Sequence, residues 1–429
     1  MNNKSFCIYP WIHQYAKPTG HVGYCCIAHQ DNVKKDDGTD FDLSKDKLED
    51  AWNSTYMKNL REDMYDGNKI TGCETCYFQE KIGKESYRIR HNNDWTRRLG
   101  KQFVESLVED SKKNNFIVSD KPRYFDLRLG NLCNLKCRMC NPFNSTQIEK
   151  EWNSIDNNTN GEMSKFWANR GVHKHSIEPW YESEIFWDSI DAAIPFLHKV
   201  YMTGGEPTLI NKNYEFLEKC IDWGYADKIE LFFNLNFTNM TDKFIDLINQ
   251  FKWTNINASF DGIGSVNDYI RSPSNWNKLS ENFAKLAKYG GNNIGLGISP
   301  VIQVYNILDI IPLLEWVEKI TYETEKDILV DFLYCKSPKF LDPIILPQEI
   351  KLIALNQLKE YKSRPFYNRN SAKANFLKNS VDSCISMLEQ NLDILNKHEI
   401  EEFKKYTKLL DNERKVSFSD TFPVLSKFI

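Results

Sequence analysis

Leu129-Gly130-Asn131-Leu132-Cys133-Asn134-Leu135-Lys136-Cys137-Arg138-Met139-Cys140 is the stretch on which the fold of this chain turns. It follows directly on Tyr124–Leu129, a run of strand-forming residues, so three thiols fall on the loop at the carboxyl end of a predicted strand. In barrels of parallel strands the active site lies on that face. Three thiolates in this arrangement can hold three irons of a cubane cluster and leave the fourth iron open to a small molecule. A zinc ion with a remote fourth ligand is the plainer alternative for the same thiols.

From about Pro122 to Tyr334, short β-rich runs alternate with helical ones, the pattern of a parallel sheet built from βαβ units. Six strands are predicted: Tyr124–Leu129, Lys199–Thr203, Lys228–Asn234, Asn255–Phe260, Ile294–Val301 and Ile328–Tyr334. Thr241 is placed to cap the helix after the third, with Phe244, Leu247, Ile248 and Phe251 on one face. Leu279, Phe283 and Leu286 form a similar stripe after the fourth, and both stripes are expected in the core. The interval Asn141–His198 exceeds one crossover helix, which suggests a lid or substrate-contacting insertion.

Outside this region the pattern changes. Asn2 to about Asn93 is cysteine-rich and irregular, with one helix predicted from Leu43 to Glu62, suggesting a small metal-stapled unit. Beyond Leu346, Leu, Lys, Glu and Asn recur at helical spacing with no recognisable motif. The expected division is 1–95, a cysteine-rich domain; 96–121, a helical linker; 122–345, the α/β core; and 346–429, a helical extension.

In 429 residues, 55 Lys and Arg against 59 Asp and Glu give a net charge of −4, which provides no electrostatic footprint for nucleic acid or an anionic membrane. No apolar run reaches membrane-spanning length, and Met1–Trp11 lacks the basic and apolar parts of a secretory signal, so a cytoplasmic protein is expected. Eleven cysteines are too few for a disulfide scaffold; their short spacings suggest metal ligation in a reducing compartment. The isolated Cys220, Cys335 and Cys384 are expected to be buried and inert.

The triplet Cys133, Cys137, Cys140 resembles the signature of the radical S-adenosylmethionine superfamily, with Met139 where an aromatic residue is usual. The resemblance implies a partial (β/α)6 barrel and a [4Fe–4S] cluster whose open iron chelates the amino and carboxylate groups of S-adenosylmethionine. Reductive cleavage then gives methionine and a 5′-deoxyadenosyl radical that abstracts a substrate hydrogen. Thr203-Gly204-Gly205-Glu206-Pro207, at the end of the second strand, resembles the family's Gly-Gly-Glu-Pro motif. Gly204, Gly205 and Glu206 are thereby implied to bind the methionine amino group. Asn234 and Asn236 match the ribose-contacting Thr-Asn-Gly only loosely. Ser259-Phe260-Asp261-Gly262 is similar to Ser-Leu-Asp-Gly, making Ser259 a ribose or carboxylate contact. Arg271 suits the methionine carboxylate or an ordinary surface ion pair.

A second thiol group precedes the core. Cys7, twelve residues, Gly20, four residues and Cys25 are followed later by Cys73-Glu74-Thr75-Cys76. This resembles the twitch form of the SPASM module, which holds an auxiliary iron–sulfur cluster, and Asp50-Ala51-Trp52-Asn53 matches its middle segment. In that family the module normally follows the barrel. Cys7, Cys25, Cys73 and Cys76 are the implied auxiliary ligands, with Cys26 an alternative to Cys25 and structural zinc an alternative metal. His13, His21 and His29 lie nearby without displacing the four-thiol set. Glu80, Arg88 and Arg90 suit either a path toward the barrel or a solvated helix.

The expected activity is radical cleavage of S-adenosylmethionine with an unknown substrate, a peptide being preferred. The expected partner is a reductant such as a flavodoxin or ferredoxin. A small-molecule radical dehydrogenase and a non-catalytic zinc-stapled binding protein are the alternatives.

Overall fold

The computed structural model describes residues 4–28, 31–81, 83–172 and 177–429, in two compact units. One comprises Met1–Gly130, Ile177–Phe232 and Gln250–Lys252; the other comprises Asn131–Ser176, Phe233–Asn249 and Trp253–Ile429.

In the first unit, β1 (His13–Ala16) pairs antiparallel with β2 (Val22–Gly23) and parallel with β3 (Tyr124–Arg128). Next come β4 (Lys199–Thr203), in the register Tyr124↔Lys199 to Arg128↔Thr203, and the first half of β5 (Glu230–Leu235). The cysteine-rich segment therefore adds two strands to the sheet, which its sequence does not announce. Every residue of β1 is buried, so the polar–apolar alternation of a half-exposed strand never appears.

The helix expected over Leu43–Glu62 is two helices, Leu48–Trp52 and Thr55–Asp66. Ser54 breaks the run because its side chain accepts the Met57 N–H and starts a new helix. Arg61, fully buried, donates from Nε to Pro10 O at 2.8 Å and from Nη2 to Trp52 O at 2.7 Å. Its Nη1 reaches Phe116 O at 2.9 Å and Asn53 Oδ1 at 3.0 Å. One guanidinium thus joins four chain segments. Arg61→Met should lower stability in urea denaturation by roughly 3–4 kcal/mol, because each buried acceptor left without a donor costs about 1 kcal/mol or more.

In the second unit, the remainder of β5 is followed by β6 (Trp253–Ala258), β7 (Ile294–Ile298) and β9 (Leu329–Val330), with Thr254↔Ile294 to Ala258↔Ile298 in parallel register. A separate pair joins β8 (Val301–Ile302) to β10 (Leu333–Tyr334). Two predicted strands are therefore each broken in two. Pro300 has no N–H to continue Ile294–Val301. At Phe332 the backbone N–H is diverted to Ser380 Oγ at 3.0 Å, dividing Ile328–Tyr334. Thr241 caps Asp242–Ile248 by accepting the Phe244 N–H at 3.2 Å, and Leu279, Phe283 and Leu286 of Trp276–Tyr289 are buried, both as expected.

In neither unit do the described strands close into a ring, so the architecture is an open, mostly parallel α/β sheet, the partial barrel expected. Asn141–His198 carries the helices Thr146–Thr159, Glu162–Ala168 and Glu184–Asp191; its residues 173–176 lie outside the described residues. After residue 346 come the helices Gln348–Tyr361, Ala372–Gln390 and Lys397–Arg414. No helix among the described residues is long and apolar enough to cross a membrane.

Candidate iron–sulfur sites

Beyond β3 the backbone leaves the sheet and the cysteine loop is held by hydrogen bonds. Lys136 N donates to Ser272 O at 2.5 Å, Arg138 N to Ile270 O at 2.9 Å and Cys140 N to Cys137 O at 3.0 Å. Cys137 is buried, while Cys133 and Cys140 are partly exposed. The Cys140 thiol donates to Cys137 and the Arg271 guanidinium lies beside them, so the Cys137 thiol loses its proton more readily than a free cysteine; Cys140, as donor, holds its proton more tightly.

Arg271 is no surface residue. Buried, it places Nη1 at 3.6 Å from Cys137 Sγ and Nε at 2.7 Å from Asp261 Oδ2, a charge contact without hydrogen-bond alignment. The other Asp261 oxygen accepts Val301 N–H at 2.8 Å, so the carboxylate is fixed by backbone on one side. A cation anchored in this way offsets the negative charge that gathers where several thiolates share a metal centre.

Asn236 is tied to the same loop. Its Nδ2 donates to Asn134 Oδ1 at 2.9 Å and stands 4.0 Å from Cys133 Sγ, and its Oδ1 accepts from Thr238 N and Oγ1. Asn234 lies half-buried on β5, and Ser259 sits just past β6 with its N–H on Leu235 O at 2.9 Å.

Gly204 and Gly205 close β4 in the first unit. At Gly204, φ is 121°, and a Cβ there would stand 3.1 Å from Gly130 O and 3.3 Å from Arg128 C, both unyielding backbone. The motif thus brings the carboxyl ends of β3 and β4 into close approach, three residues before Cys133 in the chain. Glu206 is buried, and its Oε1 accepts from Thr208 N at 3.3 Å and Oγ1 at 2.6 Å, capping the turn Pro207–Leu209. Gly204→Ala should weaken S-adenosylmethionine binding at least tenfold in equilibrium dialysis while the circular dichroism stays native, since about 1–3 kcal/mol of strain would fall on this turn.

The amino-terminal thiols gather elsewhere in the first unit. Cys7, Cys25, Cys73 and Cys76 line one cavity with Tyr9, Tyr24, Arg88 and His91. Cys26 is not among its lining residues, yet its thiol is hydrogen-bonded to that of Cys25, with Asp126 and Arg128 of β3 as charge neighbours. Burial pushes the Cys7 and Cys73 thiols up to about 12, so they hold their protons until a metal displaces them. Among the described residues no group of three or more His, Cys, Asp or Glu side chains is placed to hold a metal ion. The four thiols stand around the cavity, and an all-thiol donor set is the one iron–sulfur clusters take.

Arg88 is buried, gripped by Glu80 at 2.6 and 3.0 Å and donating to Phe6 O at 2.7 Å, so the solvated-helix reading fails for it while Arg90 is exposed. His13 and His21 hydrogen-bond Tyr24 O and Phe41 O outside the cavity lining, and His29 lies outside the described residues. His91, which the sequence did not single out, does line it. A histidine one helical turn past Arg88 is the only hint the spacing offers. Cys220, Cys335 and Cys384 are buried and raised above the usual thiol range by burial, as expected of inert thiols.

The structure thus pairs a mostly parallel α/β sheet, with three thiols on a loop past a strand end, with a cavity lined by four further thiols. Residues 127–317 match the radical SAM superfamily, and residues 7–77 match the SPASM family, an iron–sulfur cluster-binding domain. The SPASM module therefore precedes the radical SAM domain in sequence. The family's cofactors are a [4Fe–4S] cluster with S-adenosylmethionine and, in the SPASM module, auxiliary iron–sulfur chemistry.

Among solved structures, the chain resembles Streptococcus suis SuiB bound to precursor peptide SuiA, at 15% identity over 68% of this chain and 59% of that one, TM-score 0.36. It also resembles native anSMEcpe with bound AdoMet, at 15% identity over 60% and 62%, TM-score 0.34. For SuiB bound to S-adenosylmethionine the values are 14% over 82% and 68%, TM-score 0.37. The chain spans about three fifths of the length of the first two of these. No curated protein matches it.

Proposed function

We propose that Cys133, Cys137 and Cys140 hold a [4Fe–4S] cluster at which S-adenosylmethionine is reductively cleaved, and that the outcome is hydrogen abstraction from a peptide. The observation that carries this reading is the cysteine loop itself, with three thiols past a strand end and a buried guanidinium 3.6 Å from the middle one. When bound, the cluster and cofactor supply an electron and a 5′-deoxyadenosyl radical. The protein's own part is to place and shield them.

Gly204 and Gly205 leave room for the methionine end, and Glu206 is the acceptor for its amino group. Asn234, Asn236 and Ser259 serve the ribose and carboxylate. Arg271 offsets thiolate charge through Nη1, and its remaining donors serve the methionine carboxylate. Cys7, Cys25, Cys73 and Cys76 hold the auxiliary cluster, which passes electrons or tunes the substrate site. The reductant is a flavodoxin- or ferredoxin-type protein of the cytoplasm, and the overall chemistry is that of an oxidoreductase. A peptide is placed first as substrate with SuiB and its precursor peptide in view.

Anaerobically reconstituted protein, given dithionite and S-adenosylmethionine, should form 5′-deoxyadenosine. Cys133→Ala, Cys137→Ala and Cys140→Ala should not. Equal yields from all four proteins would end the proposal.

A further inference from the structure

The carboxyl-terminal helix Lys397–Arg414 bears no motif, yet three of its side chains reach into the cysteine loop. Arg414 Nη2 donates to Lys136 O at 2.7 Å, and Tyr406 OH donates to Arg138 O at 2.8 Å. Those carbonyls belong to the residues on either side of Cys137. Their N–H groups are already taken by Ser272 O and Ile270 O. Cys137 is thus clamped from two directions, its neighbours' donors held by the 270–272 segment and their acceptors by the helix.

The third contact fixes the side chain that follows Cys137. Arg138, fully buried, gives Nη2 to Asp411 Oδ1 at 2.6 Å and Nε to Tyr269 O at 3.1 Å, with its guanidinium 3.6 Å from the Tyr269 ring centre. Asp411 also accepts Tyr269 OH at 2.6 Å and Phe418 N at 2.8 Å. Arg414 is itself held by Glu151 at 2.8 and 2.7 Å. Tyr406, Leu410 and Arg414 share a small cavity with Cys137 and Cys140, so the helix forms part of the wall behind the thiols. Nothing in this network is solvent-exposed charge pairing of the kind that contributes little.

We infer that the helix Lys397–Arg414 is a working part of the cluster site, in which Tyr406, Asp411 and Arg414 are positioning residues that set the direction of the Cys137 thiol and thereby the affinity of the cluster for S-adenosylmethionine. The inference rests on the assignment of the triplet to that cluster. Its scope is local. Loosening the clamp should leave the amino-terminal thiols and their iron untouched and alter only what the triplet cluster binds.

The test titrates S-adenosylmethionine into dithionite-reduced, anaerobically reconstituted full-length protein and follows the electron paramagnetic resonance spectrum. Tyr406→Phe deletes one hydroxyl and keeps the ring; Arg414→Lys keeps the charge and loses the fork. Phe403→Leu on the same helix serves as a packing control, because a phenyl ring gives the loop no hydrogen bond and this one packs on Tyr305 and Phe418. Both clamp variants should retain wild-type iron, yet their titration midpoints should rise roughly three- to tenfold, the worth of one buried hydrogen bond. Phe403→Leu should lower the melting temperature without moving the midpoint. Unchanged midpoints in both clamp variants, or an equal rise in Phe403→Leu, would overturn the inference while leaving the function standing. A wild-type spectrum indifferent to S-adenosylmethionine would instead remove the proposed function, and this inference with it.

Discussion

Cys137→Ala is expected to lower 5′-deoxyadenosine formation at least about a hundredfold while sparing the iron of the amino-terminal module. Residues that only orient a metal ligand typically cost ten- to a hundredfold when removed, so loss of a ligand should cost no less. Cys137 is the most telling of the three thiols because it is the buried one and the one that Arg271 faces. Its loss also strands a buried guanidinium whose remaining charge partner is Asp261, so the loop should loosen as the cluster leaves. Iron and sulfide analysis beside product quantification checks both halves of the expectation. Full activity in the alanine variant would mean that the triplet is not the cofactor-cleaving centre.

The second large effect concerns the other thiols. A Cys73→Ala, Cys76→Ala double variant should lose roughly half the iron of reconstituted protein, one of two cubane clusters. The remaining cluster should still cleave S-adenosylmethionine without turnover of a peptide, because the triplet lies on a different loop and draws no ligand from this cavity. Two features of the amino-terminal unit bear on the result. Cys76 is buried next to Arg88, whose backbone N–H it accepts, so the double variant also removes an anchor for that arginine. The apolar cavity raises the thiols' affinity for protons, so iron uptake must release them. Iron content equal to wild type would remove the auxiliary cluster and leave the triplet untouched.

Much of this molecule could be read from residue order, and what could not has a common cause. The βαβ rhythm from Tyr124 onward placed β3 and β4 within a residue, β4 with alternate residues buried and half-buried and β3 as a run of strand-forming residues that is buried almost throughout. Thiols at short spacing and a Gly-Gly-Glu-Pro turn are local signals and need no tertiary knowledge. By contrast, β1 is four residues buried on all sides and carries no period, so its entry into the sheet was invisible. The breaks at Pro300 and Phe332 depend on one missing donor and one diverted donor, the second supplied by Ser380 far along the chain.

Buried arginines account for the rest. Arg61, Arg88, Arg138 and Arg271 look in sequence like ordinary solvated cations, and their settings are decided by carbonyls and carboxylates up to 273 positions away. The same holds for Tyr406, Asp411 and Arg414, which sit in a run of charged helix without a motif. Periodicity reports which face of a helix is apolar. It is silent on which polar side chain of that helix will find a buried partner.

With Cys133, Cys137 and Cys140 as its protein ligands, the proposed cluster keeps one iron for the methionine end of S-adenosylmethionine. Electron–nuclear double resonance on the reduced protein, with the cofactor labelled with nitrogen-15 in its amino group, addresses that contact itself. A resolved nitrogen-15 hyperfine coupling to the cluster, absent in Cys137→Ala, is the predicted result. A cluster that forms, reduces and shows no coupling to the labelled nitrogen would contradict the claim.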